Sequence, residues 1–308
     1  MSSATTLNEV WVAGEVLIDL IPDSHGVRKP IVGGGAANTA KALARLGIAT
    51  HFIDGISSDD YGTLARKELE ESGVNLSRTK MLDKPTALAE VSLSDAGGAS
   101  YKFTLEGTAT FDFDSQWLPR GNPKALHIGT LATIIEPGAT ALYEWAHSID
   151  APIVFDPNIR PSVLGDRVKY RDIVERWIAI SDLVKLSDDD LFWLYPEAKN
   201  LDDAINIARI ALTKGPTAVV ITRGKEGISA VTQERVIHVP GVEVAVVDTV
   251  GAGDTVGAII VEGIAHFGLK NVSGERLEPT LIRAAKAAAI TCTRVGAQPP
   301  TLDEIGIL

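Results

Sequence analysis

The sequence predicts a three-layer α/β fold: a mostly parallel central sheet, helices on both faces, and a small β-rich lid. Three observations carry this. From residue 125 onward, short apolar runs alternate with helical stretches, the rhythm of a parallel sheet. The chain opens on an apolar run without the polar alternation of a half-buried strand. Residues 87–105 instead alternate with a period of two around a turn, as a hairpin does.

In chain order, Val10–Ile21 reads as one strand buried on both faces, ending near Asp19. Gly33-Gly34-Gly35 follows. Ala36, Ala37, Ala40, Leu43 and Ala44 then fall at helical spacing, with Gly47 as the stop. Ala87, Ala89, Val91 and Leu93 lie on one side of a strand. After Asp95-Ala96-Gly97-Gly98, Tyr101, Phe103 and Leu105 lie on one side of the next. Nothing divides the chain, so residues 1–308 are one domain, with lid segments at about 20–32 and 85–110 inserted into it. Further strands are expected at Ala125–Gly129, Ile153–Asp156, Leu183–Leu186 and Ala218–Thr222, with a helix at Asp202–Leu212. Ile228–Val231 and Val236–Val239 form an edge hairpin, and two helices close the chain after Gly253 and after Pro279.

Composition narrows the function. A chain of 308 residues with 45% hydrophobic residues can bury a core without disulfides. Its 29 basic and 40 acidic residues leave a net charge of −11, which speaks against nucleic-acid and anionic-membrane partners. Glu15 and Asp19 interrupt the opening apolar run, so it is neither a signal peptide nor a membrane span, and a cytoplasmic location is expected. Cys292 is the single cysteine and reads as a small buried hydrophobe. The six histidines lack metal-ligand spacing and read as surface or satisfied core residues.

The strongest local signal is Asp248-Thr249-Val250-Gly251-Ala252-Gly253-Asp254, opening an apolar helix. Amides of Gly251, Ala252 and Gly253 at a helix start make an anion hole for a phosphoryl group or oxyanion. Asp254 beside it is placed to take a proton from an attacking hydroxyl, with the helix dipole expected to keep it ionised. The second signal is Gly33-Gly34-Gly35-Ala36-Ala37-Asn38-Thr39-Ala40. Consecutive glycines admit a ligand close to the backbone, and the Asn38 amide can donate and accept toward a polyhydroxylated one. Neither a dinucleotide fingerprint nor a P-loop occurs. Asp19 could accept from two adjacent hydroxyls. Arg160, between Pro161 and the Asp156-Pro157-Asn158-Ile159 run, offers a cation to substrate or phosphate, or a structural ion pair. Thr222-Arg223-Gly224-Lys225-Glu226-Gly227 is a strand-end turn able to touch a nucleotide, or a plain hairpin turn.

Together, GGGAANTAKALARLG (Gly33–Gly47) and DTVGAGDTVGAIIV (Asp248–Val261) resemble the two motifs of the ribokinase-like, or PfkB, carbohydrate kinases. The resemblance runs from Val10 to Thr301. It is most like bacterial fructokinases in Gly14–Pro22, Pro85–Ala89, Asp156–Pro161 and Ala297–Thr301. It implies ATP-dependent phosphorylation of a sugar primary alcohol, with fructose going to fructose 6-phosphate. Asp254 would be the base and Gly251, Ala252 and Gly253 the anion hole. Asp19, Gly34, Gly35 and Asn38 would hold the sugar, covered by Tyr101 or Phe103. Lys185, Thr222, Gly224 and Gly227 would lie along the nucleotide. Mg²⁺ would come with ATP, with K⁺ as a further cation in some members, and the enzyme would be a monomer or a homodimer.

Four positions, in three places, depart from the family pattern. Ser187-Asp188-Asp189-Asp190 stands for Asn-x-x-Glu, leaving Asp190 as an indirect metal contact. Val250 stands where Thr is common, and Thr110 where fructokinases carry Asp. Three other readings stay open: a kinase for ribose, 2-keto-3-deoxygluconate or a nucleoside; a non-catalytic sugar or nucleotide sensor on the same scaffold; and, weakest, a Rossmann-type dehydrogenase.

Overall fold

The computed structural model describes residues 7–23, 26–93 and 99–307, the side chains of 91–93 and 99–101 excepted. The first half contains β1 (Val10–Ala13), β2 (Leu17–Pro22), β3 (Arg28–Gly33), α1 (Gly35–Arg45), β4 (Thr50–Ile53), β5 (Gly55–Ser57), α2 (Asp60–Glu71), β6 (Lys80–Leu82), β7 (Leu88–Leu93) and β8 (Ala99–Thr104). Then β9 (Ala125–Gly129), α3 (Gly138–His147), β10 (Ile153–Asp156), α4 (Arg167–Ile178), β11 (Leu183–Ser187), α5 (Asp188–Leu194), α6 (Leu201–Leu212) and β12 (Ala218–Thr222) alternate. The chain ends with β13 (Ile228–Val231), β14 (Val236–Val239), α7 (Ala252–Phe267), α8 (Leu269–Ser273), α9 (Leu277–Cys292) and α10 (Leu302–Ile305).

Eight strands form the main sheet in the order β14-β13-β12-β11-β10-β9-β1-β4, with every neighbouring pair parallel except those made by β13. The continuous apolar strands follow from burial on both sides. Val10 and Val12 pack toward α1, α7 and α9, while Trp11 and Ala13 pack toward α3, α4 and α6. A second sheet, β3-β2-β7-β8, stands apart from the first, and β5 pairs with β6.

The opening run is not one strand. Gly14 sits at φ 154, and a Cβ there would run into the Ala36 Cβ and the Gly129 carbonyl. The chain bends at this point: β1 stays in the main sheet and β2 leaves for the second. Asp19 therefore lies in the middle of β2, paired with Ile31 and Ala89, rather than at a strand end. The closing helices α7 and α9 begin slightly ahead of the expected positions, and short α8 and α10 accompany them.

From β1 the chain moves out to β4 and then returns to β9 on the other flank of β1. The carboxyl ends of β1 and β9 thus bound a topological switch point, where open α/β sheets leave a crevice. Gly14→Ala is expected to destabilise the fold by roughly 1–3 kcal/mol through steric strain at this bend, measured by denaturant unfolding.

Candidate active site

Helix α7 begins just beyond the switch point. Gly251 is its N-cap in the left-handed region at φ 78, and no side chain caps the helix. The first-turn N–H groups therefore lack intrahelical acceptors, although that of Ala252 leans back on the Thr249 carbonyl at 3.3 Å. The Asp248 carboxylate braces the loop, accepting from Val250 N at 3.0 Å and Gly296 N at 2.8 Å. Almost all of α7 is buried, which accounts for its unbroken apolar sequence.

Asp254, in the first turn, is 7% exposed. Its Oδ2 accepts from Asn38 Nδ2 at 2.9 Å, and its carbonyl accepts from Thr39 Oγ1 at 3.4 Å. The glycine run explains this approach. A Cβ on Gly35 would sit 2.7 Å from Thr130 Cγ2, 2.9 Å from Asn158 Nδ2 and 3.4 Å from Asp254 Oδ1. Only glycine lets the start of α1 lie flush against the start of α7. The Asn38 Oδ1 and the Asp156 Oδ1 are buried without a hydrogen-bond partner, acceptors that await a donor.

Asp19 reaches the same region across Gly33, where a Cβ would strike its Oδ2. Burial pushes the Asp19 carboxyl up to about 6, against the pull of the Arg160 cation. Arg160 also acts on Asp254. Its Nη1 is held by Asn158 Oδ1 at 2.6 Å and by the Ile159 carbonyl at 3.0 Å. The structure thus gathers Asp19, Gly35, Asn38, Arg160 and Asp254, which the sequence separates by more than 200 positions. A Cβ on Gly34 would lie 2.4 Å from the Glu15 carbonyl oxygen. Phe103 is half-buried against the core, and the side chain of Tyr101 lies outside the described residues.

Beside this group runs a cleft of about 680 Å³, lined by Thr222, Gly224, Gly227, Ala252, Gly253 and Cys292 among others. Cys292 is half-buried on this wall rather than packed in the core as expected. Lys185 is 4% exposed beneath the helix start, its Nζ 2.8 Å from Asp156 Oδ2 and 3.0 Å from where a Gly253 Cβ would be. Asp190 does not present itself to a metal: one oxygen accepts from Ile159 N at 2.7 Å and the other from Ser187 N at 2.9 Å. With Ser187 it forms a capping box on α5. Among the described residues no group of three His, Cys, Asp or Glu side chains could hold a metal ion. Thr110 donates to the Val16 carbonyl at 2.7 Å and so braces the start of β2.

The electrostatics qualify one expectation: Asp254 stays ionised at neutral pH, but not through a lowered carboxyl. The helix dipole does not keep the Asp254 carboxyl low. Burial raises it from the ordinary 3.8 to about 6, with Asp156 adding to the rise, while Lys185, the Asn38 hydrogen bond and Arg160 oppose it. His127 also departs from expectation: it is buried with neither ring nitrogen partnered, and burial drives it down to about 3, so the ring is neutral. Sequence reading missed Glu15, Asp54, Thr130 and Asn158. Local signals existed for two of them: Glu15 interrupts an apolar run, and Asn158 lies in the Asp156–Pro161 strand-end run.

The pfkB family carbohydrate kinase model matches residues 7–304. A fructokinase from Rhizobium leguminosarum bv. trifolii is 39% identical over 265 residues, 83% of this chain and 79% of that protein. A fructokinase from Salmonella typhimurium is 31% identical over 294 residues, 94% of each. The crystal structure of aminoimidazole riboside kinase from Salmonella enterica, complexed with aminoimidazole riboside and an ATP analog, superposes with a TM-score of 0.84 at 25% identity. It covers 96% of this chain and 98% of that one, and the architecture is ribokinase-like.

A carboxyl raised from 3.8 to about 6 is bound more tightly by protons in the folded state, so its ionisation costs stability above that range. Asp254→Asn is therefore expected to stabilise the fold at pH 8 by on the order of 1–3 kcal/mol. The gain should vanish as the pH falls toward 4. Urea unfolding at the two pH values checks this.

Proposed function

The chain belongs to the pfkB family of carbohydrate kinases and is a sugar phosphotransferase, and on that premise we propose that it moves the γ-phosphate of ATP to the primary hydroxyl of fructose. One observation carries the reading. A buried carboxylate sits in the first turn of an uncapped helix, with a nucleotide-sized cleft on one side and hydroxyl-matching side chains on the other.

Each part then has a task. ATP lies in the cleft along Thr222, Gly224 and Gly227, with its γ-phosphate at the N–H groups of Gly251, Ala252 and Gly253. Those groups and the α7 dipole stabilise the charge that spreads over the transferring phosphoryl group. Lys185, buried under the same turn, adds a fixed positive charge. Asp19 and Asn38 accept and donate toward the sugar hydroxyls and aim one of them at Asp254. A carboxyl held near 6 is ionised at neutral pH yet basic enough to take the departing proton, the compromise that general-base catalysis favours. Mg²⁺ would come with ATP and shield the phosphate charge; both Asp190 oxygens already accept from the Ile159 and Ser187 amides, so this side chain would act on the ion only indirectly. The β3-β2-β7-β8 sheet, whose strands overlap the lid segments expected at 20–32 and 85–110 without matching their bounds, acts as the lid that excludes water.

A neutral sugar suits the site better than an acid sugar. Asp19 and Asp254 face it, and the one cation among the gathered groups, Arg160, already spends an N–H on Asn158. Likeness to a riboside kinase keeps a nucleoside as the second reading.

ADP release measured across a panel of fructose, ribose, 2-keto-3-deoxygluconate and a nucleoside is expected to favour fructose. A panel without any sugar-dependent ADP release overturns the kinase reading. Asp254→Asn should lower kcat by roughly 10²–10⁴-fold. For the wild type, kcat/KM should fall about tenfold per pH unit below the Asp254 value near 6, because the base must be unprotonated.

A further inference from the structure

Glu15 lies in the bend between β1 and β2, at the switch point, and is 2% exposed. Its Oε1 accepts from Gly35 N at 3.0 Å and from Thr130 Oγ1, and its Oε2 accepts from Ala132 N at 3.4 Å. Its carbonyl accepts from Ala37 N at 3.3 Å. One residue thus ties the first turn of α1 to the loop that follows β9. These donors are amides and a hydroxyl. A Gln amide would accept from two of them but turn its own N–H groups toward the third, whereas a carboxyl can accept from all three, although a buried one is expensive to ionise. The chain nevertheless places a carboxyl here, beside a second buried one on Asp54, which accepts from Val16 N at 3.0 Å and Gly55 N at 2.8 Å.

The consequence lies two contacts away. Gly35, whose N–H Glu15 holds, is the residue that abuts Asp254, Asn158 and Thr130. Asn38, three residues along the same helix, donates to Asp254. The depth and rotation of α1 fix where Asn38 meets the base and where its unpartnered Oδ1 meets a hydroxyl. No donor to Glu15 lines the nucleotide cleft.

We infer that Glu15 is the positioning residue of the sugar half of the site, setting the start of α1 against Asp254 without touching the nucleotide. The inference rests on the kinase reading above. The Glu15 carboxyl also takes the first N–H of α1, leaving α7 as the helix start open to phosphate. Burial raises the Glu15 carboxyl to about 7, in keeping with a group retained for its placement rather than for stability.

The experiment compares Glu15→Gln with wild type by steady-state kinetics, using the best sugar of the panel and varying sugar and ATP separately. The expected result is a KM for sugar raised roughly 10–100-fold, the scale of an ångström-level misplacement, with KM for ATP within about twofold of wild type. An unchanged KM for sugar, or parallel losses toward both substrates, overturns the inference. If Glu15→Gln does not fold, Thr130→Val decides: a rise confined to the sugar KM supports the assignment, and no change or a parallel loss overturns it. Wild-type turnover is measured in the same series. Its absence would sink the kinase reading itself, whereas normal turnover with an indifferent Glu15→Gln sinks only the role of Glu15.

Discussion

The hydrogen bond from Asn38 to Asp254 joins residues 216 positions apart, and the site depends on it. It forms because two helices begin at the same crevice and their first turns meet. For α1 to come that close, Gly35 must lack a side chain. For α7 to present its amides, the backbone must turn left-handed at Gly251. The two glycine motifs are therefore halves of one geometric requirement, and the sheet order supplies the third part by placing both helix starts beyond the carboxyl ends of β1 and β9.

The same crowding sets the chemistry. Asp254, Asp156, Asp190 and Asp19 share a small, mostly dry region with Lys185 and Arg160. Burial disfavours every charge there, and the cations only partly offset it. Asp254 is left with an elevated carboxyl and Lys185 with an ammonium held firmly charged by Asp156 and Asp254. A stable core would contain neither arrangement. Groups held at an energetic disadvantage, at the mouth of a cleft, mark the place where function has been favoured over stability.

Much of this was legible in the sequence because the backbone itself demanded it. Gly251-Ala252-Gly253-Asp254 and Gly33-Gly34-Gly35 are local patterns with local causes, and the strand-helix rhythm after residue 125 follows from burial on two faces. What stayed hidden is tertiary. The split at Gly14 depends on a collision with Ala36 and Gly129, which no local pattern encodes. The dipole expected to hold Asp254 ionised is a local effect, whereas the burial that raises its carboxyl is tertiary, with α1 among the elements packed on α7. Asp190 shows the same limit: its acidity was visible, but the Ile159 and Ser187 amides that occupy it were not.

Glu15 and the open end of α7 account for the direction of the site. Two helix N-termini face one crevice, and each would attract an anion. Were both open, phosphate could settle at either, and the sugar would compete with it. On the proposed reading the Glu15 carboxyl removes that ambiguity, because its Oε1 already takes the Gly35 N–H at the α1 end. The remaining positive terminus is that of α7, which adjoins the cleft of about 680 Å³ and carries Asp254 in its first turn. Under the proposed function, phosphate would be drawn to the helix that carries Asp254, and the neutral hydroxyls left to the helix that carries Asn38. On that proposal, the asymmetry between two otherwise similar helix starts, created by one acidic side chain, would give the crevice a donor side and an acceptor side.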